Sequence, residues 1–181
     1  MACLIQVRLT LTGYSDYLPS PDQQKDAGNT MAMTMSGEYQ IAAPREVVWV
    51  KLNDPEVLKT CIPGCESLDK LSDTEFQAVA VTKIGPVKAK FKGKVNLTDL
   101  DPPNGYKISG TGDGGIAGFA KGGAVVALIP KDGGTLLTYN VEAQIGGKLA
   151  QIGQRLVNGA AKKMADEFFE KFAVAAAMPA A

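Results

Sequence analysis

Cys61 and Cys65 are the first residues of this sequence whose type and spacing suggest chemistry, because they bracket Pro-Gly in the stretch CIPGC. A structural zinc site needs four ligands, usually sulfur or imidazole, and the chain has three cysteines and no histidine. Redox pairs of the Cys-x-x-Cys type are spaced more closely. A disulfide is geometrically allowed, and metal or redox roles stay open. We favour a structural interpretation, in which Cys61 ends a short helix as a buried hydrophobic side chain, Pro63-Gly64 turns the chain and Cys65 opens a strand.

The absence of histidine limits the catalytic designs that this chain can use. It removes the usual general base at neutral pH and every Ser-His or Cys-His nucleophile arrangement. Paired carboxylates for acid–base work are not evident, and Asp113 is the one acid that we would test. Enzymes without histidine exist, but the common catalytic designs are closed to this chain, and we expect no metal site.

Composition excludes several further classes of protein. Lysine and arginine together number 19, as do aspartate and glutamate, so the basic surplus of a nucleic-acid binder is absent. The odd number of cysteines argues against a secreted disulfide scaffold, and no apolar run is long enough to span a bilayer. The first residues lack the basic region and cleavage site of a signal peptide. We expect a cytoplasmic protein.

Two further patterns have both a structural and a functional interpretation. Gly110, Gly112 and Gly115 fit G-x-G-x-x-G, but predicted antiparallel strands lie on both sides, so we interpret the stretch as a flexible loop over a pocket mouth and not as a dinucleotide site. Lysines alternate along the strand after residue 87. Such a row is usually a solvated face, and the alternative is a patch attracted to anionic lipid headgroups or an acidic partner. The row consists of Lys88, Lys90, Lys92 and Lys94.

Hydrophobic periodicity divides the chain into strands, two short helices and one long helix. Residues 87–99 and 135–145 alternate between apolar and polar side chains, which is typical of antiparallel strands with one buried face. From residue 148 the spacing changes to three and four, which predicts an amphipathic helix of about 25 residues, roughly 37 Å long. Its predicted apolar stripe is Leu149, Ile152, Leu156, Ala160, Met164, Phe168 and Phe172. The other predicted elements are a strand within 35–43, helices at 44–52 and 55–61, and strands at 74–84, near 106–110 and near 119–130.

We expect one folded domain, at residues 35–175. Residues 15–34 are polar and proline-containing without periodicity, so we interpret residues 1–34 as a leader or extension that packs loosely, if at all. Residues 176–181 are predicted to be a short tail. A chain of 181 residues is long enough for a single domain with a real core.

The order of the elements predicts an α+β fold, in which a curved antiparallel sheet of about seven strands grips the long C-terminal helix. Small residues occur on both facing surfaces, such as Gly93 and Gly110 on the strands and Gly153 and Ala160 on the helix. They either bring helix and sheet closer or leave space for a ligand. We favour space, because the inward face also carries a rim of larger aromatic residues. These are Phe91, Tyr106 and Tyr139.

Several long stretches resemble the family of the carbon monoxide dehydrogenase G subunit, which belongs to the START-like, or SRPBCC, helix-grip superfamily. The stretches are PREVVWVKLNDPEVLKTCIPGCESL (44–68), GPVKAKFKGKVNLTDLDPP (85–103), GFAKG (118–122) and GGKLAQIGQRLVNGAAKKMADEFFEKF (146–172). The resemblance covers residues 35 to about 174 in order and almost without gaps. Residues 1–34 lie outside the family pattern, and the chain stops at AAAMPAA without the apolar anchor segment of some members.

The resemblance implies an accessory protein of a molybdenum hydroxylase of the carbon monoxide dehydrogenase type, which is not an enzyme itself and has no catalytic residues. Such a protein is expected to aid maturation or membrane recruitment of the enzyme and to bind a hydrophobic small molecule, such as a quinone or lipid, in its cavity. It implies no other cofactor. The expected partners are the hydroxylase subunits and, peripherally, the cytoplasmic membrane surface, with no nucleic acid.

The predicted cavity wall combines apolar and aromatic residues of the strands and helices. It consists of Trp49, Leu58, Phe76, Phe91, Val95, Tyr106, Phe119, Leu137, Tyr139, Ile152, Leu156 and Ala160. Apolar contact would supply affinity, and one or two hydroxyls would orient the ligand. The alternatives are a START-like enzyme of the cyclase or hydrolase type acting on an apolar substrate, and a protein-interaction subunit with a filled core.

Overall fold

The computed structural model describes residues 29–177, which contain seven strands and four α-helices. The predicted leader lies largely outside these residues, but the first strand begins at Thr30, five residues before the predicted domain boundary. The strands are β1 Thr30–Ile41, β2 Cys65–Lys70, β3 Glu75–Ile84, β4 Val87–Asp101, β5 Gly105–Asp113, β6 Phe119–Lys131 and β7 Gly134–Gly146. The helices are α1 Arg45–Leu52, α2 Pro55–Cys61, α3 Lys148–Gln151 and α4 Gln154–Ala177.

All strands form one antiparallel sheet in the order β1-β7-β6-β5-β4-β3-β2. Strands β2 to β7 follow one another as neighbours, as short hairpin connections require. Strand β1 instead pairs with the last strand, Met35 lying opposite Val141. The sheet therefore has β1 and β2 at its two edges, and the predicted α+β fold is confirmed.

Alternation along the strands produces one inward and one outward face, as predicted. The inward row of β7 includes Leu137, Tyr139 and Ile145, all of which are buried. On β4 the lysine row is exposed between inward residues that are partly buried. Lys90 forms an ion pair with Glu66 of the edge strand, with 2.7 Å between Nζ and Oε2.

The two short helices are confirmed within a residue of their predicted ends. Asp54 caps α2, because its side chain accepts a hydrogen bond of 2.9 Å from the amide of Glu56, and Pro55 occupies the first turn. The helix ends at Cys61, which is 1% exposed. Gly64 then turns the chain with a positive φ of 72°, and β2 begins at Cys65.

The prediction of one continuous C-terminal helix is wrong, since Gly153 interrupts it with a φ of 93°. The break separates α3 from α4 and changes which side of the second helix faces the sheet. Val157 is buried, at 4% exposure, whereas the predicted Leu156 is 50% exposed. The residues of α4 that are buried or packed against the core are Val157, Ala161, Ala165, Phe168, Phe169, Phe172, Ala175 and Ala176.

The apolar interior consists of two clusters at opposite ends of the strands. The large core lies beneath α1 and α2 and contains Ile41, Val48, Cys61, Leu137 and Phe172 among its fully buried members. The small core lies beneath α3. It consists of Met33, Ile145, Leu149 and Val157. Between the two clusters the inward residues of the central strands are only partly buried, for example Ile108 and Val141.

Replacing Gly64 by alanine should destabilise the fold for two separate reasons. The left-handed φ of 72° disfavours any side chain, and a Cβ at this position would lie 2.1 Å from the carbonyl oxygen of Val81. We expect a loss of unfolding free energy of more than about 1 kcal/mol, measured by denaturant unfolding.

Gly133→Ala is the matched control, because Gly133 has a φ of 75° but a Cβ there would meet no atom within 4 Å. It should lose only the backbone contribution. Equal losses in the two variants would contradict the importance of the Val81 contact.

Candidate functional site

Helix α4 is held on two opposite sides by two distant parts of the sheet. The Tyr39 hydroxyl on β1 donates a hydrogen bond to the Asp166 carboxylate, and the Thr82 hydroxyl on β3 donates to Met164 Sδ at 3.7 Å. Residues two apart on an α-helix point about 200° apart, so Met164 and Asp166 project from opposite sides of α4. Four strands lie between β1 and β3 in the sheet. The helix therefore bridges the centre of the sheet.

Small side chains form the floor beneath this bridge. The inward rows of the central strands border an open hollow of about 290 Å³. Its inward lining is Val95, Ile108, Gly110, Gly112, Ala120, Gly122, Ala124, Val141 and Ala143. We call this space the central hollow. Its lining carries no charged side chain on the inward rows, so an occupant would be held by apolar contact.

A second hollow, of about 450 Å³, lies where β1 meets α4. We call it the seam. It is lined by Met35, Ser36, Gly37, Glu38, Tyr39, Tyr139, Asn158, Lys162 and Asp166. Tyr139 and Val141 are successive inward residues of β7, so the seam is adjacent to the central hollow.

The seam contains a hydrogen-bonded polar cluster. Lys162 Nζ donates to Asp166 Oδ2 at 2.8 Å, and the Tyr39 hydroxyl donates to the other carboxylate oxygen. The Lys162 hydrogen bond, followed by that of Tyr39, lowers the pKa of Asp166. Burial and then the hydrogen bond to Asp166 raise the pKa of Tyr39. Both shifts favour the observed states, a charged carboxylate and a neutral phenol.

Stacked aromatic rings close the end of the seam nearest the large core. The rings of Tyr39 and Phe169 are 4.3 Å apart between centroids, and those of Tyr139 and Phe169 are 5.4 Å apart. Phe168 meets Phe169 edge-on, with centroids 5.0 Å apart, and stacks on Phe172, with centroids 5.8 Å apart. This packing fixes the position of Tyr139 at the boundary between filled core and hollow.

Most residues predicted to line the cavity belong instead to the packed ends of the interior. Trp49 packs edge-on against Tyr106, with ring centroids 5.5 Å apart, and burial raises the pKa of the Tyr106 hydroxyl. Leu58, Phe76 and Leu137 also lie in or against the large core. Phe91 and Ile152 pack against the small core. Val95 lines the central hollow and Tyr139 lines the seam.

Three predicted wall residues face elsewhere. Phe119 belongs to the outward row of β6, and its ring covers Gly146 of β7. Leu156 and Ala160 lie on the side of α4 that the break at Gly153 turns away from the floor, and Leu156 is half exposed. Val157 and Ala161, one position further along, take the inward places.

A further depression of the surface, of about 740 Å³, lies on the outward face of the sheet. Lys107, Lys121 and Glu142 stand along it together with Asn140 and Gln144. These charged and polar side chains are suited to water, and we do not assign an apolar ligand to this face.

The motifs that first suggested chemistry have structural roles. Cys61 ends α2 and is almost fully buried, Gly64 turns the chain and Cys65 opens β2, as the structural interpretation of CIPGC predicts. Burial is the main cause that raises the pKa of both thiols. The glycine motif joins two antiparallel strands through a 3-10 turn at Gly115–Ala117, where the Asp113 carboxylate accepts a 2.7 Å hydrogen bond from Gly115. Within residues 29–177, no group of three metal-binding side chains is present.

The small residues that predicted space beneath the helix do line the central hollow. Glycine and alanine recur at the inward positions of adjacent strands, including Gly112, Ala120 and Ala124, and the full row can be recognised once the register is known. Asn158, Lys162 and Asp166 are spaced by four on α4, so they share the side of the helix that lines the seam.

Comparison with known proteins gives a family and a set of similar folds. A family model that describes the G subunit of carbon monoxide dehydrogenase (CoxG) matches residues 37–177. The crystal structure of a conserved protein from Geobacillus kaustophilus is 38% identical, covers 80% of this chain and 95% of its own, and superposes with a TM-score of 0.75. None of the curated proteins compared with the chain matches it.

More distant structures share the fold alone. The structure of Ara h 8.0201 is 16% identical over 81% of this chain and 98% of its own, with a TM-score of 0.58. The Zhui aromatase/cyclase from Streptomyces sp. R1128 is 9% identical over 81% of this chain and 94% of its own, also with a TM-score of 0.58.

Tyr39→Phe should lower the melting temperature, because it removes the hydrogen bond that holds α4 to β1 and keeps the ring. Asp166 has a lowered pKa, so its contribution is present above the ordinary carboxyl pKa of about 4 and is lost as the pH falls through the folded value. Tyr39 has a raised pKa, so its contribution is present below about pH 10 and is lost as the pH rises through the folded value. The difference between variant and wild type should therefore be largest between about pH 4 and pH 10, in thermal unfolding followed by circular dichroism.

Glu167→Gln provides the control, since Glu167 pairs at 3.6 Å with Lys163 on the same helix. A pH-independent difference for Tyr39→Phe, or an equal effect of Glu167→Gln, would show that the strand-to-helix hydrogen bond adds no more to stability than an ion pair within the helix.

Proposed function

Since this chain belongs to the CoxG family, that of the carbon monoxide dehydrogenase G subunit, we propose that it is a non-catalytic accessory protein of a molybdenum hydroxylase of that type, which holds a hydrophobic molecule between sheet and helix. A quinone or a lipid has the required character. The protein presents this molecule to the enzyme, or aids the enzyme's maturation or recruitment, without converting it.

The observation that supports ligand binding is the floor of small residues beneath a helix that is attached on both sides. Because Tyr39 and Thr82 fix α4 from opposite sides of the sheet, the helix is not free to descend onto the glycines and alanines between them. Between its buried ends α4 carries small side chains, since Ala161 packs against the small core and Ala165 against the large core. A thin, flexible, apolar ligand tail fits such a space. A charged ligand would lose its hydration there without compensation.

A non-catalytic role is supported by the chemistry of the lining. The inward rows of the central hollow carry no acid, base or nucleophile. The tyrosines next to it are held in the neutral state by raised pKa values at Tyr39 and Tyr106. General acid–base catalysis at neutral pH requires a group whose pKa lies near the working pH.

Peripheral contact with a membrane is supported at the end of the molecule near the small core. Ile116, in the connection between β5 and β6, is 87% exposed. On β3 and β4 nearby, Lys83 lies directly opposite Lys88, and within residues 29–177 neither forms an ion pair. Like charges facing each other across strands are unfavourable, and an anionic surface would offset their repulsion. None of the described helices is long and apolar enough to cross a bilayer.

Ala124→Phe should strongly reduce ligand binding, because Ala124 lines the central hollow and a phenyl ring would fill much of it. The wild-type protein, extracted with organic solvent and examined by mass spectrometry, should release a quinone or a lipid. The variant should release little and should bind added decylubiquinone weakly, as followed by quenching of Trp49 fluorescence.

Val125→Phe is the matched control, since the neighbouring side chain points to the outward face and lines the depression there. It should leave ligand content unchanged. A wild-type protein that remains empty after incubation with quinones would disprove the proposal, and loss of binding in Val125→Phe alone would move the site to the outward face.

Ile116→Ser should weaken sedimentation with vesicles of phosphatidylcholine and phosphatidylglycerol, and Lys83→Ser with Lys88→Ser should weaken it further in a salt-dependent way. Ile129→Ser is the control, because Ile129 is 47% exposed but lies at the opposite end of β6. Equal sedimentation of wild type and the triple variant would exclude this surface.

A further inference from the structure

The outward face of the sheet carries two lysines that no acid of the described chain neutralises. Lys94 of β4 lies opposite Thr111 of β5, and Thr111 lies opposite Lys121 of β6, so the two lysines flank one threonine in a single row across three strands. Neighbouring strands are about 4.8 Å apart, which separates the two lysine backbones by roughly 10 Å. Both side chains are exposed, and within residues 29–177 neither forms an ion pair.

Two adjoining depressions of the surface follow this row. The two lysines line a depression of about 510 Å³, and Lys121 also lines the one of about 740 Å³ that extends to β7. Both depressions share Gly123, which has an outward position between Ser109 and Glu142 of the neighbouring strands but no side chain to fill it. A Cβ at Gly123 would lie 2.6 Å from the carbonyl oxygen of Ile108, so the sheet backbone keeps this floor open. We call the combined space the outer depression.

The charges of the outer depression complement a protein surface better than a membrane. Lys121 lies opposite Gln144 on β7, two residues from Glu142, and within the described chain these two opposite charges form no ion pair. Asn96 and Asn140 add amide groups that both donate and accept hydrogen bonds. Anionic lipid headgroups would be repelled by the Glu142 carboxylate. A protein surface can present acids to the lysines and a base to Glu142.

We propose that the outer depression docks an acidic protein surface, whose carboxylates pair with Lys94 and Lys121 and which places one basic side chain against Glu142. The site rests on the proposed function, since the enzyme that this protein serves is the expected source of that surface. It is separate from the membrane contact, because Lys88 lies about 20 Å from Lys94 along β4, at 3.4 Å per residue. Both contacts can therefore form at once.

Charge reversal tests the docking surface, with the full chain and the intact carbon monoxide dehydrogenase-type hydroxylase of the same organism. Lys94→Glu and Lys121→Glu should each raise the dissociation constant about three- to tenfold, mainly through slower association, in surface plasmon resonance. The difference should shrink between 0.15 M and 1 M salt, because the Debye length falls from about 8 Å to about 3 Å. Glu142→Lys should weaken binding as well, since it places a cation against the partner's base.

Lys131→Glu is the matched control, because it makes the same change of charge on the same face of β6, about 33 Å from Lys121 along the strand. It should change the dissociation constant by less than about twofold, since this distance exceeds the Debye length. A water-soluble carbodiimide, which joins a lysine amine to a carboxylate in contact with it, gives an independent readout. Mass spectrometry should find Lys94 and Lys121 linked to acids of the enzyme, and Glu142 linked to one of its lysines.

Three results would overturn the docking surface while the proposed function stands. They are enzyme binding that Lys94→Glu and Lys121→Glu leave unchanged, an equal loss in Lys131→Glu, and crosslinks that involve only other parts of the chain. Stronger sedimentation of Glu142→Lys with vesicles of phosphatidylcholine and phosphatidylglycerol, at unchanged enzyme binding, would assign this face to a membrane and would also overturn it. A wild-type protein that does not bind the enzyme would overturn both the docking surface and the accessory role.

Discussion

The attachment of α4 to both sides of a curved sheet is the constraint on which the rest of this structure depends. Five strand-to-strand spacings separate β1 from β3, about 24 Å along the sheet, whereas a helix with its side chains is about 10–12 Å across. One helix can contact both strands only if the sheet curves around it. The contacts of Asp166 with Tyr39 and of Met164 with Thr82 therefore fix both the curvature of the sheet and the position of the helix.

The two ends of the interior show how this constraint is stabilised. Beneath α1 and α2 the space between sheet and helix is filled by large side chains, with Phe172 and Leu137 almost completely buried. Beneath α3 a smaller cluster around Leu149 and Val157 fills the other end. Packing at both ends holds the helix in place, so the space between the sheet and the middle of the helix can remain open. Apolar surface left uncovered in this space lowers the free energy of unfolding. An apolar ligand that covers this surface would restore that stability.

The sequence was sufficient to predict the fold because the strands alternate and the helix signals are strong. The period of two in β4 and β7, and Pro44, Asp54 and Pro55 at the helix starts, identified the elements nearly to the residue. The break at Gly153 was not predicted because apolar residues continue at spacings of three and four across it. The resulting change in helical phase explains why Leu156 and Ala160 were misplaced. The start of β1 was missed although Met31 and Met33 alternate with Thr30, Ala32 and Thr34, because this short period-two pattern directly follows a polar stretch.

The floor of the central hollow also determines where its volume can change during evolution. At Gly112 a methyl group would find its nearest neighbour 4.0 Å away, at the carbonyl oxygen of Ala120. At Gly122 the same methyl group would lie 2.1 Å from the carbonyl oxygen of Glu142. This oxygen cannot move away, because it belongs to the backbone of the paired strand β7. The two glycines therefore differ. Gly112 can accept a side chain that changes the size of ligand the hollow admits, whereas Gly122 must remain glycine because the sheet backbone leaves no room.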